Sequence, residues 1–402
     1  MTRRRRAVIT GIGIFCGAGK DIPSFTDSLI NGKSAIAELE LFDASRFHSR
    51  IGAEIRNYRA SDYFAPSLAR KLSRADQFAM IAAGEAVSDS ALSNCRISSE
   101  TGVCVGAGAA GMYQGEFWLK AQIEGKKASP GLLRGILPDS TATLLAKNFR
   151  FRGYQGTVTT ACSSSSTAIG MAAEMISRGE LKTVLAGGTD ALSLLTFAGF
   201  NSLRVVDPQP CSPFSIGRQG ITLGEGAAFF MLEDEESAIA RGTRIYGAIS
   251  GYAVAAEAFH MTAPEPDGHN AARVMLNALS SAGLSAGDVG WVNAHGTGTP
   301  MNDVVESKAA RLVFGENVMN VPLVSTKGMT GHCLGAAGAI EAVATIIALD
   351  RKIIPQTLNF RGNDPECPLE YRHAGKTVSD SKVAISNSFA FGGNITSLVL
   401  ER

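Results

Sequence analysis

Along almost the whole of the 402 residues, short apolar runs alternate with stretches in which apolar residues recur three or four positions apart. The runs at 7–10, 102–106, 157–160, 183–186, 227–232, 290–293, 323–325, 383–386 and 397–401 predict strands. The spacing at 76–90, 164–177, 270–282 and 336–349 predicts helices. Strand and helix taking turns in this way predicts an α/β protein with a mostly parallel sheet. Residues 233–241 predict a charged helix stopped at Gly242, after which a new strand begins near Arg244. That stop divides the chain into two halves, 1–243 and 244–402, each holding several β-α units.

Charge narrows the possibilities. The 38 basic and 37 acidic residues nearly cancel, so the chain has no electrostatic footprint for nucleic acid, and an acidic partner must meet a local basic patch. No apolar run approaches the ~20 residues that span a bilayer. The basic start, Arg3 to Arg6 before an apolar stretch, is read as the lead into a first strand rather than as a signal peptide, because it has no convincing cleavage site. The seven cysteines stand singly, with no C-x-x-C pair. That spacing suits neither a disulfide framework nor a zinc site, and it predicts a reducing cytoplasm.

Three segments carry candidate chemistry. In residues 157–170, TVTTACSSSSTAIG, a β-branched run ends just before Cys162 and small residues lead into a helix. This places the sulfur at a strand-to-helix turn, where the helix dipole and free N–H groups favour thiolate. The serine run is expected to keep space open around it. Residues 292–303, VNAHGTGTPMND, put His295 just after an apolar strand, and 325–338, STKGMTGHCLGAAG, do the same for His332, with Lys327 five residues earlier. A lone cysteine or histidine in such a place is more often structural. Two histidines in glycine-rich loops at strand ends, in a chain with only six, favour a site, because open α/β sheets bind ligands at the carboxyl ends of strands.

Together with the tail NSFAFGG at 387–393, these segments resemble, in order and spacing, the β-ketoacyl-acyl carrier protein synthases of the type II condensing class. The resemblance runs from Ala7 to the C-terminus. It implies a thiolase fold of two pseudo-twofold-related βαβ-rich halves in five αβαβα layers, with the cysteine from the first half and both histidines from the second. It further implies that Cys162 holds an acyl group as a thioester, with the N–H groups of Cys162 and Phe391 as an oxyanion hole. His295 and His332 would bond the malonyl thioester carbonyl while carbon dioxide leaves. Lys327 and Glu341 resemble a supporting pair that orients His332. Phe389 and Phe391 resemble a gate beside the cysteine, although core packing is the commoner reason for such a pair. Thr297 and Thr299 resemble the hydroxyls that hold the phosphopantetheine arm of an acyl carrier protein. No metal or separate cofactor is implied, and a dimer is, either of two copies or with a chain-length factor.

The segment 211–226, CSPFSIGRQGITLGEG, departs from the family's usual P-F-D-x-x-R-D-G-F: Ser215 and Gln219 replace acidic residues and Ile221 an aromatic. After the two glycines of the tail stand Asn394 and Ile395, where the family usually has Thr-Asn or His-Asn. These changes are expected to leave the catalytic set untouched. With the serine run, they open the alternative of a specialised polyketide, polyene or aryl-polyene synthase. A non-catalytic chain-length factor would lack the nucleophile that Cys162 supplies. A degradative thiolase would carry a second cysteine in C-x-G, which Cys367 does not match, and the chain-initiating class has asparagine where this chain has His332. A dinucleotide fingerprint fails at Cys16, and His332-Cys333 lacks partners at metal-ligand spacing.

Overall fold

The computed structural model describes residues 5–92, 100–371 and 377–402; Cys95 and the first arginines of the basic start lie outside them. Labels below number the strands of the main sheet and the helices that join them. The apolar run at residue 7 is strand β1 (Ala7–Cys16), buried along its whole length. It is crossed by α1 (Arg74–Asp89), which a Ser73/Asp76 capping box starts. The crossing is so close that a Cβ on Gly13 would lie 2.0 Å from the Ala82 carbonyl oxygen. After α1 come β2 (Gly102–Gly106), α2 (Ser140–Phe149), β3 (Gln155–Val158), α3 (Ser164–Ser177), β4 (Thr183–Asp190) and β5 (Gly226–Asp234). A helix over Glu235–Arg241, closed by left-handed Gly242, leads onward.

The second half follows the same sequence of elements: β6 (Gly247–Ala256), α4 (His269–Ala282), β7 (Trp291–Asn293), α5 (Pro300–Phe314), β8 (Leu323–Val324), α6 (Ala337–Asp350), β9 (Val383–Phe389) and β10 (Asn394–Glu401). All ten strands lie in one sheet, in the order β8-β7-β9-β10-β6-β1-β5-β4-β2-β3. Read outward from the middle, the two arms are the same series shifted by five strands. The halves meet where Val8 and Ile9 pair with Ala248 and Gly247.

The expectation of a mostly parallel sheet is corrected. Strands β4, β2 and β3 run parallel, as do β9, β7 and β8, but the middle of the sheet is antiparallel. The reason is that β10 follows β9 by a short loop, and β5 follows β4 by a connection with the helix Leu194–Ser202 that returns the chain to the same end of the sheet, so that each pairs antiparallel with the strand before it. Helices α3 and α6 pack on each other and touch strands of both halves, while α1 and α2 cover one outer face and α4 and α5 the other, which makes five layers. From Ala337 to Leu349 every residue of α6 is buried, as a middle layer requires.

The serine run serves this middle layer rather than an open space, contrary to the sequence reading. Ser163 to Ser166 are fully buried. The Ser165 hydroxyl accepts from the Ala339 N–H at 2.9 Å, and Ser166 bonds the Ser388 hydroxyl at 2.7 Å. Small polar residues let the first turns of α3 and α6 touch. A Cβ on Gly338 would lie 2.0 Å from the Ser166 hydroxyl.

Candidate active site

The strand before Cys162 ends at Val158, two residues sooner than its β-branched run suggests. Thr160 has turned to φ −126°, ψ 45°, and Ala161 takes a left-handed φ of 49°. This elbow swings Cys162 to the start of α3. His332 comes from the matching place in the second half, between β8 and α6. Its backbone N–H donates to the Thr222 carbonyl at 2.7 Å, and its carbonyl accepts from Gly224 N–H at 3.0 Å. Thus held, His332 Nε2 lies 3.0 Å from Cys162 Sγ. The His295 ring stands edge-on to that of His332, centroids 5.4 Å apart. Sulfur and both imidazoles, read from three distant segments, lie buried in the wall of one pocket that opens to solvent, with Thr297, Thr299 and Phe391.

Burial pushes the Cys162 thiol up to about 12, against the pull of the Lys327 ammonium and of a hydrogen bond from Phe391 N–H to the sulfur. The resting group is therefore a thiol, not the thiolate expected from its place at a helix start. Burial first and Lys327 second hold His295 and His332 well below the ordinary imidazole range, so both rings are neutral near pH 7. A neutral base in contact with a thiol takes its proton as the sulfur attacks.

Lys327 is joined to the other histidine than the one expected. Its ammonium donates to the His295 carbonyl at 2.6 Å, lies 3.3 Å from His295 Nδ1 and is ion-paired with Glu341. It therefore orients His295, while the backbone of residues 222–224 orients His332. Burial raises Glu341 to about 7 in spite of the lysine.

The aromatic pair divides. Phe389 ends β9 and lies on the His295 ring, 5.9 Å between centroids, so it is a wall. Phe391 stands in the loop beyond, stacked on Phe200, beside Gly392 and Gly393 with φ of 84° and 74°. Thr297 and Thr299 join hydroxyls at 3.0 Å at the cavity wall. Cys333 takes no part in the cavity: its thiol donates to the Thr330 carbonyl. No group of metal-ligating side chains occurs among the described residues.

The departing segment 211–226 reaches the catalytic set after all. Thr222 and Gly224 clamp His332, and Ile221 lines the cavity. Sequence reasoning also missed Glu306, on α5. Its carboxylate accepts the N–H groups of His295 and Gly296, both at 2.8 Å, and the Asn387 amide at 3.2 Å, which fixes the loop that carries the histidine. Burial raises it to about 7. Since folding lifts this carboxyl above its ordinary value, its stabilising effect is full in acid and fades as pH rises through about 7. Glu306→Gln cannot titrate and turns an amide toward a backbone donor. It is expected to cost about 1–3 kcal/mol near pH 5, with the gap to wild type narrowing toward pH 7, read from urea midpoints.

Residues 4–238 match the family described as Beta-ketoacyl synthase, N-terminal domain, and residues 246–361 match Beta-ketoacyl synthase, C-terminal domain. The chain belongs to the β-ketoacyl synthase family. It is 36% identical to 3-oxoacyl-[acyl-carrier-protein] synthase 2 of a Synechocystis species, over 99% of this chain and 98% of that one. Among solved structures it is similar to the ishigamide ketosynthase/chain length factor, with a TM-score of 0.93 and 33% identity over 99% of both chains. It is also similar to a type II PKS ketosynthase in complex with its acyl-carrier protein and bound to the hexaketide, with a TM-score of 0.90 and 29% identity over 99% of both chains. The likeness extends over essentially the whole synthase, and the fold is the thiolase-like ketosynthase fold. No helix among the described residues is long and apolar enough to cross a membrane.

Proposed function

We propose that this synthase catalyses decarboxylative condensation of an acyl thioester, held on Cys162, with a malonyl unit on an acyl carrier protein, in fatty-acid or polyketide chain elongation. The observation that carries the reading is a buried thiol 3.0 Å from a neutral imidazole, with a second imidazole beside it. Cys162 attacks the incoming thioester, His332 takes the thiol proton and returns it to the leaving pantetheine thiolate. The N–H of Phe391, aimed at the sulfur, together with that of Cys162, stabilises the tetrahedral oxyanion, a kind of contact worth about 3 kcal/mol per donor. The malonyl thioester then enters. His295 and His332, the latter as its Nε2–H tautomer, donate to its carbonyl, so that the enolate left by carbon dioxide is stabilised and attacks the acyl carbon, expelling the Cys162 thiolate, which takes up a proton from solvent. Lys327 and Glu341 hold His295 in place, and Thr297 and Thr299 bond the amides of the arm.

Phe391 is the gate, and its swing away from Phe200 would admit the second substrate. The arm belongs to the substrate, so no separate cofactor is needed. The partner is an acyl carrier protein, met in a reducing cytoplasm. The dimer is of two copies, or pairs this chain with a chain-length factor, as the names of its structural relatives allow. The latter suits the departures in 211–226 and a specialised polyene or aryl-polyene product.

Peptide mass spectrometry after incubation with acyl carrier protein bearing a C8 acyl chain tests the assignment. An adduct on Cys162 is expected, and an adduct on another cysteine would refute it. In parallel, His295→Ala is expected to become acylated but to release carbon dioxide from malonyl carrier protein about 10²-fold or more slowly. Undiminished release would remove His295 from the reaction.

A further inference from the structure

We propose that Asp190 is a positioning residue for the condensation: its carboxylate pins a second elbow of the duplicated fold and, through it, sets the His332 ring against the sulfur of Cys162. The inference rests on the roles of Cys162 and His332 argued above. Each half turns from its third strand into an inner helix in the same way. In the first half the turn is Ala161, φ 49°, then one 3-10 turn over Ala161–Ser163 and α3; in the second it is Leu334, φ 51°, then Leu334–Ala336 and α6. Gly335 thus occupies, in the second half, the position that Cys162 occupies in the first.

What meets each elbow is also paired. Strands β4 and β9 are counterparts in the repeat. Just beyond β9, the Phe391 N–H meets the sulfur of the first elbow; at the end of β4, the Asp190 carboxylate meets the N–H of Gly335 at 2.6 Å. The same carboxylate accepts Gly108 N–H at 3.0 Å and Ala110 N–H at 2.5 Å, and it is fully buried. One elbow therefore presents a nucleophile, and the other is closed by an internal anion in a ring of backbone donors. Gly335 is required there, since a Cβ would lie 2.4 Å from Gly108 N and 2.7 Å from the carboxylate.

The pin acts at short range. His332 is three residues before Gly335, and its other side is clamped by Thr222 and Gly224, so the two ties together fix the ring. Asp190 also reaches Cys162 through its charge. Of the charges facing the thiol, Lys327 lowers its pKa, while Asp190 and Glu341 raise it; the imidazoles of His332 and His295 are the other titratable groups beside it. Burial lifts Asp190 only to about 6, so it is charged at neutral pH.

The test uses the full chain with Asp190→Asn, which keeps the shape but turns an amide toward backbone donors. For carbon dioxide release from malonyl carrier protein, kcat is expected to fall about 10-fold or more with KM within about twofold. The rate of iodoacetamide alkylation of Cys162 at about pH 8, read by peptide mass spectrometry, is expected to rise, because a nearby negative charge is gone. A purely structural role would not raise that rate. Unchanged kcat, or an unchanged alkylation rate, overturns the proposal. If Asp190→Asn does not fold, Asp190→Glu takes its place. Expected there is a wild-type alkylation rate with lowered kcat, and wild-type kcat overturns the proposal. A wild-type protein that neither releases carbon dioxide nor is acylated on Cys162 would instead overturn the reading of the site.

Discussion

Cys162→Ala is expected to form no condensation product, a loss of at least about 10⁴-fold, while its fold is kept. The sulfur is the one nucleophile in contact with a neutral histidine in this cavity, and alanine removes the atom that holds the acyl group between the two half-reactions. Decarboxylation is a separate step that the two imidazoles carry. Cys162→Gln, whose amide stands where the acyl thioester would, should therefore go on releasing carbon dioxide from malonyl carrier protein. Labelled carbon dioxide and product, counted in the same reaction, separate the two. Condensation by either variant would mean that the acyl group rides elsewhere.

Lys327→Met should do the most damage outside the nucleophile. The ammonium is buried, ion-paired with Glu341 and bonded to His295, so its loss strands a buried carboxyl and frees the ring. Breaking a pair of this kind costs about 3–5 kcal/mol, which denaturant unfolding would register. The lysine's charge helps to hold both imidazoles below their ordinary range, so removing it raises them toward that range. Since the reaction needs neutral rings, the acid limb of the pH profile for carbon dioxide release should move to higher pH. A limb that stays in place, in a folded variant, would show that Lys327 does not set the state of the histidines.

The nucleophile and both histidines were legible because glycine-rich and β-branched patterns mark strand ends, and reactive side chains stood in them. The supporting residues were not. Glu306 lies in a polar helix that reads as a solvated face, and only the fold reveals that α5 turns Asp303 and Glu306 inward. Lys327 was found but given the wrong neighbour, because five residues of sequence separation suggested His332, whereas the short helix Lys327–Thr330 carries it across to His295. The serines were misread because sequence shows that they are small and not that a second helix fills the room they leave. Asp190 gave no signal at all: it ends an apolar strand, and its partners are backbone groups.

Cys162 and His332 stand 170 residues apart and on opposite sides of the repeat. A ribosome therefore delivers the thiol long before the base. The imidazoles and the ammonium that surround that sulfur all come from the second half. Neither half made alone would hold a nucleophile beside a histidine of the set, so the active site is a property of the joined halves and not of either one.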